Sequence, residues 1–494
     1  MISMLIIIAV PIVGAILLTV LGRANSARMG KSAGYIAGGL SLATVIATFI
    51  LLAALNRGED PILTLNWAPM PGVVLGLHCD WITLPFLVTE TIVTFLAIVY
   101  AWGYHHMDER TPYFYALLLV FGAAMSGTTL ADDMVLFYTF WELMLIASAV
   151  LILVWGETPP GGPDRRTVTL KYVIFTHLGS LLVLIALLTI YNTVGNDSFS
   201  SLRQGLSLPT ALVPTVTTLF LIGFGVKMAV FPVHIWLPDA HTVAPMPVTI
   251  MLAAAMLAMG TYGILRFPFS LFSQAQMARF GLPLMIIGVI SEIYGALMAF
   301  AEKDIKRIIA YSSVSQMGYI LFGLGTLTYD GIAGATLHVI FHAIVKALLF
   351  MVTGLIIHST GRRQLDELGG LRNHMPTTTA CAAIGVLALA SVPPLCMFDS
   401  EWMLFSGGMS SGRLGISAIS LLGSLLTVAY ALWFAGRIFF GDLPVDLQVK
   451  KRPLAMLIPA VFLTVLTVVE GIFPAPLFDW VAHEITLLLG GGLR

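Results

Sequence analysis

Charge is scarce in this sequence. Lys and Arg supply 25 of 494 residues and Asp and Glu 26, 10% in all, where an ordinary soluble protein is about one quarter charged. A net charge of −1 excludes a broad basic surface for nucleic acid. Only three cysteines occur, Cys79, Cys381 and Cys396, with no paired spacing. No zinc, haem or iron–sulfur ligand set can be assembled from them. Any stretch polar enough for a soluble domain is missing too. What fills the chain is apolar: 58% of residues are hydrophobic, mean hydropathy is +0.93, and apolar runs recur from end to end. That pattern is an all-α polytopic membrane protein. The opening "MISMLIIIAVPIVGAILLTVLG" has neither a basic leader nor a small-residue cleavage site, so it reads as a first spanning helix, not a signal peptide.

At about 20 apolar residues per crossing, hydropathy predicts fourteen spans, near 2–22, 34–55, 81–104, 113–131, 134–156, 168–192, 211–231, 242–267, 280–301, 306–327, 330–357, 376–408, 414–437 and 453–475. Residues 60–79 are too polar and Pro/Gly-rich to span and alternate like a short extramembrane hairpin. With the N-terminus outside, seventeen basic residues fall in cytoplasmic connections. Six fall on the other side: Arg57, Arg203, Arg266, Arg279, Arg413 and Arg494. This bias predicts both termini outside.

Ionisable residues inside spans mark ion paths, because a charge at mid-membrane costs roughly 2.5–3.5 kcal/mol on insertion scales. Four places qualify. Glu142 sits in "MVLFYTFWELMLIASAVLILVWG". Lys227 sits in "LIGFGVKMAVFPVHIWLPDAH", where Pro232 and Pro238 follow and span 7 is expected to break. His338, His342 and Lys346 step by four along "LHVIFHAIVKALLF" and stack on one helical face. In "SVPPLCMFDSEWMLF", Pro393 and Pro394 precede Asp399 and Glu401, a second break beside an ionisable group. Paired breaks of this kind point to inverted repeats, placed at spans 4–8 and 9–13. The single membrane domain then divides into 1–110, repeat one at 111–268, repeat two at 278–440, and 441–494. Plainer readings stand beside these. Glu142 and Lys227 could form a purely structural ion pair, a lone histidine such as His177 reads as a satisfied core group, and Asp399 could cap a helix or face water. Asp132 and Asp133, at a helix entry, read as structural.

The stretches "FYTFWELMLIASAVLILVWG", "GVKMAVFPVHIWLPDAH", "AEKDIKRIIAYSSVSQMGYILFGLG", "HAIVKALLFMVTG", "RQLDELGGL" and "PPLCMFDSEWMLFSG" resemble the antiporter-like subunits of respiratory complex I, especially chain M. They equally resemble the D-type component of Mrp cation/proton antiporters and the related subunits of energy-converting hydrogenases. The resemblance runs over essentially the whole chain. It implies fourteen helices with two inverted five-helix repeats and broken helices 7 and 12. Glu142 and Lys227 match the family's glutamate and lysine of spans 5 and 7, His338, His342 and Lys346 fall in the central relay region, and Glu401 matches the exit-side glutamate of chain M types. The chain ends soon after span 14, without the long lateral helix typical of chain L. Two departures stand out. The family's span-8 lysine, four residues before the tyrosine of "YG", is Ala258 here, and glycines around the span-12 break are Ser391 and Cys396.

The function so implied is proton translocation within a redox-driven, multi-subunit pump. A proton would pass from Glu142 and Lys227 through His338, His342 or Lys346 to Glu401. Ser312, Ser313, Ser315 and Gln316 would orient water, and His234, Asp239, His241 and Asp399 stand as further supporting groups. No redox centre, cofactor or metal is expected on the chain itself. Expected partners are other membrane subunits, including homologous antiporter-like ones, peripheral redox subunits and the lipid of a bacterial or archaeal cytoplasmic membrane, with no nucleic acid. Two alternatives remain: a component of an Mrp-type sodium/proton antiporter, and a non-pumping scaffold, which the alanine at 258 favours.

Overall fold

The computed structural model describes residues 1–66, 74–104, 108–159 and 161–488. The backbone of Ile2–Asn56 (α1) is helical throughout but holds two apolar stretches, Ile2–Ala24 and Ser32–Asn56. In a straight helix Gly14 and Leu40 would stand about 39 Å apart, yet Gly14 lies against the Leu40 side chain. The two stretches therefore run side by side. A hairpin of β1 (Ile62–Asn66) and β2 (Val74–His78) follows, with Ile62 opposite His78 and Asn66 opposite Val74. It agrees with the alternation over 60–79. Its turn at 67–73 lies outside the described residues, as do Arg494 and the side chains of Arg28 and Lys31 that enter the orientation argument.

The bundle continues with α2 (Thr83–Tyr104), α3 (Thr111–Leu130), α4 (Met134–Trp155), α5 (Arg165–Val194), the short α6 (Phe199–Gln204), α7 (Val213–Met228) and the short α8 (Leu237–Val243). Then come α9 (Met246–Phe269), α10 (Gln274–Ala301), α11 (Ile305–Thr326), α12 (Tyr329–Thr360), α13 (Pro376–Leu389), α14 (Cys396–Ser410), α15 (Leu414–Phe439), α16 (Leu454–Ile472) and α17 (Ala475–Leu488). Among the described residues twelve helical stretches are long and apolar enough to cross a membrane, and the protein is a multi-pass membrane protein. The two remaining expected spans coincide with the shorter apolar helices α7 and α13.

Local chemistry sets many of the ends. Asp133 caps α4 by accepting from the Leu136 N–H, Asp164 and Asp304 cap α5 and α11, and Ser273 with Gln276 forms a capping box on α10, each satisfying amides that a helix start leaves open. The structural reading of Asp133 is thereby met. Helices α10 and α11 approach closely because both are lined with glycine: a Cβ on Gly288 would stand 2.7 Å from the Gly318 carbonyl. Small residues let backbones meet this way in membranes. At the centre stands α12, 32 residues long and buried along nearly its whole length.

The two broken spans are built alike. Helix α7 stops at Ala229, which turns left-handed (φ 56°), and the chain resumes helical form at Leu237. Helix α13 ends before Ser391, also left-handed (φ 50°), and resumes at Cys396. Each break contains a cis X–Pro bond, Phe231–Pro232 and Pro393–Pro394.

Candidate functional site

The sequence-predicted ionisable residues lie along the interior of the bundle. Lys227 occupies the last turn of α7, 3% exposed, with its ammonium 5.1 Å from the centre of the Trp141 ring. The expected contact with Glu142 is not made. Glu142 Oε2 lies 3.2 Å from His177 Nδ1 on α5, its Oε1 has no hydrogen-bond partner, and no salt bridge joins it to Lys227 among the described residues. Trp141, the neighbour of Glu142 on α4, takes the place against Lys227 through a cation–π contact. Consecutive residues on a helix point about 100° apart, so the carboxylate and the indole face different helices. His177, read from sequence as a satisfied core group, is instead half exposed on the outer face of the bundle, where Glu142 is also partly open.

On α12 the three stacked groups meet neutral partners. His338 lies between Ser400 Oγ (2.9 Å from Nδ1) and Gln316 Oε1 (2.8 Å from Nε2). Lys346 donates to Ser312 Oγ and to the Ile309 carbonyl at 3.4 Å. His342 is fully buried with neither ring nitrogen hydrogen-bonded to protein. Glu401, on α14 just past the second break, is 6% exposed with Oε1 unpartnered, and Ser315 Oγ and Gln316 Nε2 are likewise free. Ser313 bonds back to its own helix at Ile309. A row of protonatable groups linked to hydroxyls and an amide is chemically suited to passing protons, with open lone pairs and N–H groups left for water. Asp399 is half buried at the start of α14. His234 and His241 are buried beside Tyr294 (4.8 Å) and Phe350 (5.3 Å) respectively, His234 with Nδ1 open and His241 with both ring nitrogens open.

Asp239 belongs elsewhere. It accepts from Lys171 at 2.8 Å and Arg307 at 2.7 Å, and Arg307 also reaches Glu302 at 3.0 Å. This is a closed ion cluster at one end of the bundle. At the opposite end Arg266, counted from sequence as a loop residue, is buried in the last turns of α9 and pairs with Asp80, with Asp132 at 4.0 Å. Burial alone would push the Asp80 carboxyl up. The Arg266 guanidinium, helped by His78 and the Thr83 N–H, outweighs it and holds the group below the usual carboxylate range. A cavity of about 200 Å³ opens beside this pair, lined among others by His78, Arg203 and Ser200.

Two buried carboxylates escaped the sequence reading. Glu90 on α2 (1% exposed) accepts from Thr129 Oγ1 at 3.0 Å, and Glu292 on α10 (0%) accepts from Ser420 Oγ at 2.6 Å, each with its second oxygen unpartnered. The signal that marks Glu142, an isolated acid in an apolar span, is present in "LVTETIVTFLAIVY" and "LMIIGVISEIYGALMAF" as well. Among the described residues no group of three or more His, Cys, Asp or Glu side chains is arranged to hold a metal ion.

Residues 131–427 match the family described as NADH:quinone oxidoreductase/Mrp antiporter, TM, and residues 67–115 match that described as NADH-ubiquinone oxidoreductase (complex I), chain 5 N-terminus. The chain is 35% identical over 384 residues to NAD(P)H-quinone oxidoreductase chain 4 1 of Synechococcus sp. (strain JA-3-3Ab), covering 76% of this chain and 71% of that one. It is 34% identical over 426 residues to chain 4 2 of Microcystis aeruginosa, covering 84% and 75%. Among solved structures, a chain of the membrane-bound sulfane sulfur reductase, an archaeal respiratory membrane complex, superposes with a TM-score of 0.88 at 29% identity over 97% of this chain and 77% of that chain. A chain of the Mrp complex from Dietzia sp. shares the fold at 0.88 and 23% identity, over 100% and 98%. A chain of respiratory complex I from Thermus thermophilus does so at 0.86 and 23%, over 99% and 100%. The matched stretch holds both broken helices and the whole buried row from Glu142 to Glu401, and with it this chain belongs to the NADH:quinone oxidoreductase/Mrp antiporter family of membrane subunits.

Proposed function

We propose that this chain is a proton-translocating, antiporter-like subunit of a multi-subunit, redox-driven ion pump. The observation that carries the reading is the row of buried protonatable groups, Lys227, His338, His342, Lys346 and Glu401, held between two broken helices with neutral partners or none. Lys227 is the switching carrier. It sits over an aromatic ring instead of a carboxylate, so its charge is held by weak, adjustable forces. Glu142, partly open on the outer face beside the half-exposed His177, is the group that would sense a neighbouring membrane subunit. From Lys227 the proton passes to His338, His342 or Lys346 and leaves through Glu401.

The matching family covers both quinone oxidoreductases and Mrp antiporters. Relatives named as quinone oxidoreductase chains at 34–36% identity, and a respiratory reductase chain at 29%, favour a redox-driven complex over the Mrp complex chain at 23%. Redox chemistry is then the work of partner subunits, and this chain takes its place beside other membrane subunits, homologous antiporter-like ones among them, in a bacterial or archaeal cytoplasmic membrane. The matching breaks at Ala229 and Ser391 support two inverted repeats at 111–268 and 278–440, and the basic-residue bias supports both termini outside.

The test is proton translocation by the intact complex carrying Lys227→Ala or Glu142→Gln. Loss of roughly a hundredfold is expected for Lys227→Ala. Wild-type translocation by both variants overturns the reading, and sodium-dependent transport without electron donor turns it toward an antiporter.

A further inference from the structure

We propose that Glu90 is the central proton relay of this chain, supplied by α2 in place of the lysine that Ala258 replaces on α9. The inference rests on the translocation reading above and adds a residue that reading does not use.

Glu90 and Ala258 face the same gap. A cavity of about 10 Å³ lies between α2, α9 and α12, and its walls include Glu90, Ala258, Met259, Val339 and Ile340. The surface this gap exposes is apolar, so it holds the Glu90 stem and gives the side chain room to move and not a bound water. Val339 and Ile340 follow His338 directly and precede His342, so one wall is the helical turn that carries the relay histidines. Glu90 and Ala258 therefore share one small gap, while His338 points from another face of α12 toward Ser400 and Gln316.

The side chain is poised for exchange, not bound in structure. It is 1% exposed, Oε1 accepts from Thr129 Oγ1, Oε2 has no partner, and no cation pairs with it among the described residues. Buried polar atoms are nearly always satisfied, and the exceptions call for a reason. An ionisable group deep in a span is a functional site by default. Its support comes from the helix that lost the lysine: Tyr262, one turn after Ala258, donates to the Thr129 carbonyl at 2.7 Å, and Thr83 donates there at 3.1 Å. Two hydroxyls thus fix the backbone of the residue whose own hydroxyl orients Glu90.

The proton count is unchanged by the exchange. A lysine carries one proton as an ammonium and is neutral without it. Glu90 takes one proton onto Oε2 as the donor's bond to that proton breaks, is neutral while loaded, releases the proton toward α12, and returns to a carboxylate. No electrons move. Both states lie one charge lower than with lysine: the empty relay is an anion where an empty lysine is neutral, and the loaded relay is neutral where a loaded lysine is a cation.

The experiment uses the intact complex in vesicles and reads proton translocation. Glu90→Gln is expected to slow translocation by about tenfold or more with normal assembly. Adding Ala258→Lys to Glu90→Gln, which returns a proton carrier to the same gap, is expected to recover most of the rate. Lys227→Ala run in parallel separates the failures. Wild-type translocation by Glu90→Gln beside an inactive Lys227→Ala overturns the relay alone; wild-type rates in both overturn the translocation reading as well. Should Glu90→Gln not assemble, Glu90→Asp is read instead. A slowing of about threefold or more with an altered pH profile is expected from moving the carboxyl by one methylene, and an unchanged rate and profile overturn the proposal.

Discussion

At the two ends of the bundle, charges face counter-charges: buried Asp80 meets buried Arg266, half-buried Asp239 gathers half-buried Lys171 and Arg307, and buried Asp304 meets half-buried Arg363 at 2.6 Å. Across the middle, ionisable groups as deeply buried meet hydroxyls, an amide, a ring or nothing: Glu90, Lys227, His338, His342, Lys346, Glu292 and Glu401. Burial alone does not separate the two sets. Pairing does. A paired charge is fixed in one protonation state by its partner, whereas a group with neutral partners can gain and lose a proton without breaking an ion pair. The ends of the bundle hold fixed charges, and the middle holds ionisable groups without a charged partner to fix them.

Removing one member of each set separates them. Arg266→Met leaves Asp80 with only the half-buried Arg203, whose guanidinium lies 3.6 Å away, and removing one partner of a buried pair costs about 3–5 kcal/mol. The thermal midpoint of the purified complex should fall accordingly, the largest effect expected of any single change. The pH dependence follows from the same pair. Because the folded state holds Asp80 below the ordinary carboxylate range, its stabilisation is fully present above about pH 4 and is lost as pH falls through the depressed value. Acid scans should show that loss in the native protein and a smaller one in Arg266→Met, where Arg203, His78 and the Thr83 N–H still face the carboxylate. Lys346→Met is the converse. Its ammonium leaves no carboxylate behind, so stability should hold within about 1 kcal/mol while translocation falls by roughly tenfold to a hundredfold. A large stability loss in Lys346→Met would erase the distinction.

The contrast also explains what the sequence could tell. Apolar length located the twelve long apolar helices to within a few residues at most ends, because the bilayer leaves a backbone little choice but to form helices of set length. Proline placed both breaks for a similarly local reason. Partners are not local. Asp239 and Asp399 look alike in sequence, each an acid close behind prolines, yet only Asp239 has two cations folded onto it from α5 and α11. The pairing of Glu142 with Lys227 failed for the same reason. Which residue of α4 faces α7 depends on helix rotation, and a rotation of one residue gives the lysine Trp141 instead. Glu90 and Glu292 were legible by the rule that marks Glu142, but their importance depends on what stands across the gap.

Glu142 with His177 is the place where the comparison bends, a carboxylate–imidazole contact of the middle that opens on the outer face. His177→Gln keeps a hydrogen-bonding group and removes the titratable one. As the histidine is half exposed, the contact contributes only about 0.2–1 kcal/mol, so translocation should change by no more than about fivefold. A collapse like that expected of Lys227→Ala would move His177 into the working row.

The smallest effect separates backbone from chemistry at the two breaks. Ala229 and Ser391 both adopt left-handed φ values of 56° and 50°, a conformation that costs an L-residue roughly 1–2 kcal/mol and glycine almost nothing. Glycine also gives the unfolded chain more freedom, which returns about 0.4–1 kcal/mol of that gain. Ala229→Gly and Ser391→Gly should therefore each stabilise the complex by a net amount of at most about 1 kcal/mol, read as a small rise in thermal midpoint. Their consequences for transport should differ. Ala229 offers no polar group, so Ala229→Gly should leave translocation unchanged. Ser391 carries a buried hydroxyl with no hydrogen-bond partner, ten residues before Glu401 across the break. If that hydroxyl orients water for the exit carboxylate, Ser391→Gly trades stability for rate and slows translocation by about twofold or threefold. Equal behaviour of the two variants would assign the serine to the turn alone, and would make the two breaks alike in chemistry as they are in backbone.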